Sequence, residues 1–364
     1  MDKRILLILH YPPPIHGASM VGKYINESEK INSIFRTKYI YLGTTKSLKE
    51  QKSITLKKIG YLFNLVYKSI ATVRKFRPNL IYLTLSSNGM GFYKDALLVF
   101  FLRGFNIQLI YHLHNKGVKR NQNKTFDNWL YKWVFKQGDV ILLSKKLYGD
   151  IQKYVPEERV HYCSNGIPKT NFKEKQKHKG VVEILFLSNL IVSKGIFSLI
   201  DACRILNEKG ISFHCSIIGN EGDVSKKQVN DDILNKGLNS KVEYIGTKYG
   251  DEKLEFFEKA DIFVFPTYYE NECFPLVLLE AMQFRIPVVT TNEGAIEEII
   301  EHNKNGYIVE KKNPSSLAEK IEDLIGNEAT RISFGEAGYK KYYENYTVEA
   351  FENRLISIFN NYVN

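Results

Sequence analysis

The stretch IFVFPTYYENECFPLVLLEAMQFRIPVVT, residues 262–290, reads as strand, loop, helix and strand. Ile262–Phe265 is a short apolar run of strand-forming residues. Pro275 suits the first helical position, where its missing N–H costs nothing. Leu276–Phe284 continues as a helix of good formers, and Val288–Thr290 returns to strand. Such a unit belongs in a parallel sheet covered by helices. Outward from it the alternation persists. Strands Glu183–Leu187, Phe213–Ile218 and Val242–Tyr244 alternate with helices Ile196–Lys209, Val224–Lys236 and Lys253–Lys259 on the amino side. Helix Ala295–Glu301, strand Gly306–Val309 and helices from Pro314 onward follow on the carboxyl side.

The first half repeats the pattern with strands Arg4–His10, Lys38–Leu42, Leu80–Leu85, Gln108–His114, Val140–Leu143 and Val160–Cys163. Amphipathic stretches Ile54–Phe76 and Phe126–Phe135 lie between them. The polar run Lys169–Gly180, with five lysines, reads as a linker. The expected fold is therefore α/β, with two Rossmann-like doubly wound domains at 1–168 and 181–342. Ligands of such domains bind outside the carboxyl ends of the strands. Here those ends are expected to face each other across a cleft.

The chain of 364 residues is long enough for two cores. Its 44% hydrophobic and 25% charged residues are those of a globular protein. Met1–His10 has too short an apolar core for a signal peptide. Ala96–Leu113 is interrupted by Arg103, Gly104, Asn106 and Gln108, which excludes a membrane span. The four cysteines form no C-x-x-C pair, so reduced thiols in a cytoplasm are expected. The net charge of +11 is uneven: residues 1–170 hold 28 Lys/Arg against 10 Asp/Glu, whereas residues 171–364 hold 23 against 30. One half thus suits an anionic partner, either nucleic acid or a membrane surface.

The loop before the helix at Leu276 carries the densest chemistry. Amides around Cys273, Phe274 and Leu276 would leave a helix N-terminus open to an anion such as a diphosphate. Glu272 precedes the helix and Glu280 lies more than a turn inside it. A carboxylate there repels phosphate, so its use would be to accept hydrogen bonds from sugar or ribose hydroxyls. The plainer reading is an acidic first turn with no ligand. Asp261–Ile300 also resembles the nucleotide-sugar site of glycosyltransferase family 4. The likeness comprises Glu272 and Glu280 at E-x7-E spacing, Phe274–Met282, Ile286–Val289, and Gly294-Ala295 followed by Glu298. It extends weakly over the amino half. The resemblance implies the GT-B fold, with helix 343–364 returning to the first domain, and retention of anomeric configuration. It also implies that Glu272 holds the donor sugar and Glu280 the ribose. The donor would be a hexose on a nucleoside diphosphate, UDP ahead of GDP. The acceptor would be a glycan or polyprenyl-diphosphate-linked glycan of bacterial surface polysaccharide.

Three further elements fit that reading. Ser188–Gly195 follows a strand and precedes a helix, and Lys194 there can meet phosphate charge as a point cation. The family often carries Arg where this chain has Asn189, which can hydrogen-bond but cannot neutralise. Tyr11–Ser19 has His16-Gly17 where the family has two glycines, and Gly17 keeps the close backbone approach to the diphosphate. His112 and His114 share one strand face. The family histidine that lines the reacting sugar matches His114 best, in a positioning role. No third metal ligand has convincing spacing and no D-x-D occurs, so neither a metal nor any other cofactor is expected.

Gln51–Arg77 has seven Lys/Arg and no Asp/Glu. It reads either as an ordinary basic surface helix or as an attachment to an anionic membrane leaflet, which would make the protein peripheral on the inner face of the plasma membrane. Lys116, Lys119 and Arg120 are candidates for an acceptor phosphate. Among other functions, a dinucleotide oxidoreductase fails because Lys94 takes the third glycine position after Gly89-Met90-Gly91. A nucleotide-sugar epimerase would share the fold. Nucleic-acid binding lacks its usual basic–aromatic motifs and leaves Glu272 and Glu280 unexplained.

Overall fold

A computed structural model describes residues 3–43, 56–170 and 180–363, with the side chains of 56–59 excepted. The sequence readings at residues 51–55 and 171–179 lie outside the described residues. The chain divides into two compact units, residues 1–166 with 348–364, and residues 167–347.

The first unit runs β1 (Arg4–Leu9), α1 (Gly17–Glu27), α2 (Glu29–Ile34), β2 (Arg36–Tyr41), α3 (Leu56–Phe76), β3 (Leu80–Leu85), α4 (Gly89–Arg103), β4 (Gln108–Leu113), α5 (Val118–Asn121), α6 (Thr125–Phe135), β5 (Asp139–Leu142) and β6 (Val160–Tyr162). All pairings are parallel, in the order β2-β1-β3-β4-β5-β6. β1 and β3 are continuous apolar runs because helices cover both sheet faces. β2 mixes polar and apolar residues because it is an edge. Right-handed crossovers put α3, α4 and α6 on one sheet face, since β3, β4 and β5 advance in one direction. The order reverses between β1 and β3, the point of an open α/β sheet outside whose carboxyl ends ligands bind.

The second unit runs β7 (Val182–Leu187), α7 (Ile196–Glu208), β8 (Phe213–Ile218), α8 (Lys226–Asn235), β9 (Val242–Gly246), α9 (Gly250–Lys259), β10 (Ile262–Phe265), α10 (Leu276–Gln283), β11 (Val288–Thr291), α11 (Ile296–Ile299), β12 (Gly306–Val309), α12 (Pro314–Gly326) and α13 (Glu328–Asn345). Its parallel sheet has the order β12-β11-β10-β7-β8-β9. The reversal falls between β7 and β10, the pair whose loops carry Lys194 and Glu272.

Among the boundaries that differ from the sequence expectation, two helix starts have a local reason. Pro275 is the N-cap with extended ψ of 115°, so the helix begins at Leu276 rather than at the proline. α8 starts at Lys226 instead of Val224 because Ser225 caps it: its side chain accepts the Gln228 amide, and the Gln228 side chain answers the Ser225 amide.

The last helix, α14 (Val348–Asn360), belongs to the first unit. Phe351, Leu355 and Phe359 are fully buried. The Phe359 ring meets Phe35 and Tyr82 edge-on at centroid distances of 5.8 and 5.6 Å. Truncating such a ring leaves a cavity beside the central strand. Phe359→Ala should cost about 3–5 kcal/mol of first-unit stability, read as an earlier urea unfolding transition of that unit. A change below about 1 kcal/mol would contradict this packing.

Candidate functional site

In the second unit, the loops after β7 and β10 are stitched together. The Tyr268 amide donates to the Ser193 carbonyl at 2.7 Å, and the Thr267 hydroxyl donates to the same oxygen at 3.4 Å. Gly195 lies between them with φ of +86°, and a Cβ there would fall 2.2 Å from the Pro266 carbonyl oxygen. Only glycine permits both the backbone angle and the approach. From below, the Thr290 hydroxyl donates to the Phe265 carbonyl at 2.7 Å, and the Thr291 hydroxyl to the Thr267 carbonyl. Gly294 fulfils the same condition on the far side. Its φ is +60°, a Cβ would fall 2.3 Å from the Glu272 carbonyl oxygen, and the next amide, of Ala295, donates to the Cys273 carbonyl at 2.8 Å.

This scaffold brings Lys194 and Glu272 into a direct ion pair, 78 residues apart in sequence. Their side chains are only 15% and 11% exposed. The ammonium also lies 4.7 Å from the Tyr269 ring centroid and 5.3 Å from that of Phe265. The pair is held largely out of water, where removal of either partner strands the other charge. Cys273 and Phe274 are buried, the latter against Tyr346 at 5.6 Å, so what this loop offers a ligand is backbone. The amides of Phe274, Leu276 and Val277 have no acceptor among the described residues, as expected at the start of a helix. Asn189 is exposed at the mouth of the β7 loop.

Glu280 points from inside α10 to a second cation, Lys253 of α9, at 2.6 Å. Sequence reading missed Lys253, since nothing in the local pattern of α9 marks it. Both glutamates of the E-x7-E spacing are thus lysine-paired.

In the first unit, Gly17 opens α1 and is exposed, while His16 is the N-cap. Its Nδ1 accepts the Ser19 amide at 3.3 Å, and the Ser19 hydroxyl accepts the His16 amide at 3.0 Å. This histidine therefore performs the capping that a serine or aspartate usually does. His10, at the end of β1, meets the His16 ring at 5.7 Å. The His112 and His114 rings lie 4.1 Å apart, tilted by 36°, at the carboxyl end of β4. His112 is fully buried and shares a 2.6 Å hydrogen bond between Nδ1 and the Tyr82 hydroxyl. His114 is partly exposed beyond the strand end. Burial holds the His112 imidazole well below its ordinary value, with His114 a lesser cause. Burial pulls His114 down to about 3, aided by His16. His10 and His16 are lowered as well, chiefly by burial. The whole group is neutral at pH 7, and sequence spacing linked only two of its four members.

The loop of Lys116, Lys119 and Arg120 is tied down by a carboxylate. Asp150 caps the start of α5, accepting the amides of Gly117, Val118 and Lys119 at 2.8, 3.1 and 3.0 Å. Those amides are spent on a carboxylate. Of the nearby cations, Lys119 and Arg120 are exposed and Lys116 is half-buried. Among the described residues no three His, Cys, Asp or Glu side chains are grouped to hold a metal ion.

Residues 168–341 match the family model of glycosyl transferases group 1. An uncharacterized glycosyltransferase of Methanocaldococcus jannaschii is 31% identical over 235 residues, covering 64% of this chain and 63% of that protein. A capsular polysaccharide biosynthesis glycosyltransferase of Staphylococcus aureus is 29% identical over 246 residues, covering 63% of each. The chain thus spans somewhat under two thirds of the length of these relatives. A glycosyltransferase from Rickettsia africae superposes with a TM-score of 0.79 at 17% identity over 98% of both chains. Anabaena HepE in complex with UDP superposes with a TM-score of 0.77 at 17% identity, over 99% of this chain and 100% of that one. The fold of the group 1 match and its partner unit is that of GT-B glycosyltransferases.

Two outcomes follow from this geometry. Lys194→Met and Glu272→Gln should each lower stability by about 3–5 kcal/mol. The double variant should lose clearly less than the sum in a thermal-unfolding cycle, and strict additivity would mean that the pair carries no coupling. For His114, the folded pKa of about 3 lies below the unfolded value. Its contribution is intact above about pH 6.5 and declines as pH falls towards 3, because only the unfolded chain takes the proton. His114→Asn should therefore flatten the fall in melting temperature between about pH 7 and 5, and an unchanged slope would contradict an imidazole held neutral in the folded chain.

Proposed function

We propose that this chain is a metal-independent, retaining glycosyltransferase of the family 4 type. It would transfer a hexose from a nucleoside-diphosphate sugar, UDP ahead of GDP, to a glycan or polyprenyl-diphosphate-linked glycan of bacterial surface polysaccharide. The observation that carries this reading is the buried Lys194–Glu272 pair, which stands beside unspent amides at the point where the second sheet reverses order.

A paired lysine and glutamate form a poised donor site. An incoming diphosphate competes for the ammonium, and a sugar hydroxyl takes over the carboxylate. Lys194 would then offset the charge that develops on the leaving diphosphate, with the Phe274 and Leu276 amides and the start of α10 as dipolar support. Asn189 adds a neutral donor. Glu272 would fix the sugar hydroxyls near their reactive pose. Glu280 would exchange part of its Lys253 contact for the ribose diol. From the first unit, His114 would supply a neutral imidazole to position the sugar, and Gly17 a backbone approach to the diphosphate. Lys116, Lys119 and Arg120 are the cations proposed for an acceptor phosphate. Anabaena HepE, crystallised with UDP, supports the choice of base, and the capsular relative supports the kind of acceptor.

A thermal-shift series with UDP-, GDP- and ADP-sugars tests the donor. UDP-sugars should raise the melting temperature of the parent chain, with no requirement for a divalent ion, and Glu280→Ala should weaken binding by about tenfold, the loss of one or two charge-assisted hydrogen bonds. An absence of any nucleotide-sugar stabilisation, or binding unaffected by Glu280→Ala, would sink the reading. Release of an epimerised nucleotide-sugar without an acceptor would assign the site to an epimerase instead.

A further inference from the structure

The outer layer of the first unit carries a continuous aromatic face that none of the site chemistry uses. On α4, Met90, Leu97, Phe100 and Phe101 are exposed at helical spacing. On α6, Phe126 and Trp129 are exposed in the same way, with Phe100 and Trp129 at 59% and 58%. The two helices join into one surface. The Tyr93 ring lies 5.8 Å from Phe126, Phe126 stacks on Trp129 at 6.1 Å, and Phe100 lies 6.0 Å from Trp133. Arg103 sits over the Trp133 ring at 4.3 Å. On α3, the next helix of the layer, Phe63 and Tyr67 are 69% and 72% exposed. A monomer rarely leaves so large an apolar surface to water without a use for it.

Charge decides what covers it. Helix α3, of 21 residues, contains no acidic residue. The one acid of α4, Asp95, is fully buried, and the one acid of α6, Asp127, is buried and accepts the Tyr93 hydroxyl at 2.7 Å. These three helices therefore present no exposed carboxylate, while Lys68, Arg74 and Lys75 on α3, and Lys132 and Lys136 on and just after α6, are exposed. A second copy of the same face would set cation against cation. Aliphatic side chains among the rings fit stacked bases poorly. Aromatic rings at a water–lipid boundary ringed by cations suit a bilayer with anionic headgroups.

We propose that the α3–α4–α6 face of the first unit docks on an anionic lipid bilayer, with Phe100, Phe126 and Trp129 inserted at the headgroup level and the lysines held at the surface. This moves the centre of the membrane surface expected for residues 51–77 onto α4 and α6. It does not depend on the transferase reading, because its readout needs no substrate.

The chain's only two tryptophans, Trp129 and Trp133, both lie on this face, so tryptophan emission, excited to the red of tyrosine absorption, reports on it alone. With the full chain and vesicles of phosphatidylcholine containing phosphatidylglycerol, emission should move to shorter wavelength and be quenched by brominated acyl chains. Vesicles of phosphatidylcholine alone should bind at least about tenfold more weakly, because the cations then face no anionic headgroups. Lys132→Glu with Lys136→Glu should also weaken partitioning by at least about tenfold at low salt. Phe100→Ser with Phe126→Ser keeps both tryptophans and should abolish quenching while leaving the melting temperature unchanged, since both rings are exposed. Unchanged emission with anionic vesicles overturns the proposal. So does a shift driven by protein concentration without lipid, which would assign the face to a second copy, or one produced only by an oligonucleotide.

Discussion

An ammonium and a carboxylate drawn together out of water, Lys194 and Glu272, are the contact around which the second unit is arranged. A charge in this position is tolerable only beside its partner, so the loops that carry the two must be fixed relative to each other. The surrounding backbone supplies that fixation. Gly195 lets one loop pass against Pro266, Gly294 lets another pass against Glu272, and Thr290 and Thr291 tie the ends of β10 to β11. Each feature would be an oddity alone. Together they hold one polar pair at the reversal of strand order, where an open α/β sheet leaves room for a ligand.

The same economy of charge runs through the rest of the molecule. Glu280 is answered by Lys253, and Asp150 by three amides of the loop before and at the start of α5. The histidines of the first unit take the opposite course. They are packed so that none is charged near neutrality, with Tyr82 holding His112 and Ser19 holding His16. The second unit thus offers compensated charge and the first neutral hydrogen-bonding groups.

The first unit's charge asymmetry, visible as 28 basic against 10 acidic residues in the first 170 positions, finds its structural meaning in the outer helices. Burial of Asp95 and Asp127 removes the remaining acids from that surface. The aromatic residues beside the lysines then read as one face, although they come from helices separated in sequence by a strand and a short helical turn.

The sequence by itself determined the order and kind of nearly every element. Periodicity and turn chemistry are local, and they located β10, α10 and β11 to within a residue or two. It also determined the spacing of Glu272 and Glu280 and the identity of Lys194 as a loop cation. Two helix starts were misplaced where caps decide, at Ser225 and Pro275, since a single side-chain or ψ choice shifts a helix start. Only the tertiary structure decided which groups meet. The pairing of Lys194 with Glu272, of Lys253 with Glu280, of Asp150 with the α5 loop, and of Tyr82 with His112 follows from strand order and crossover. Those are properties of the packed sheet, and no periodicity along the chain encodes them.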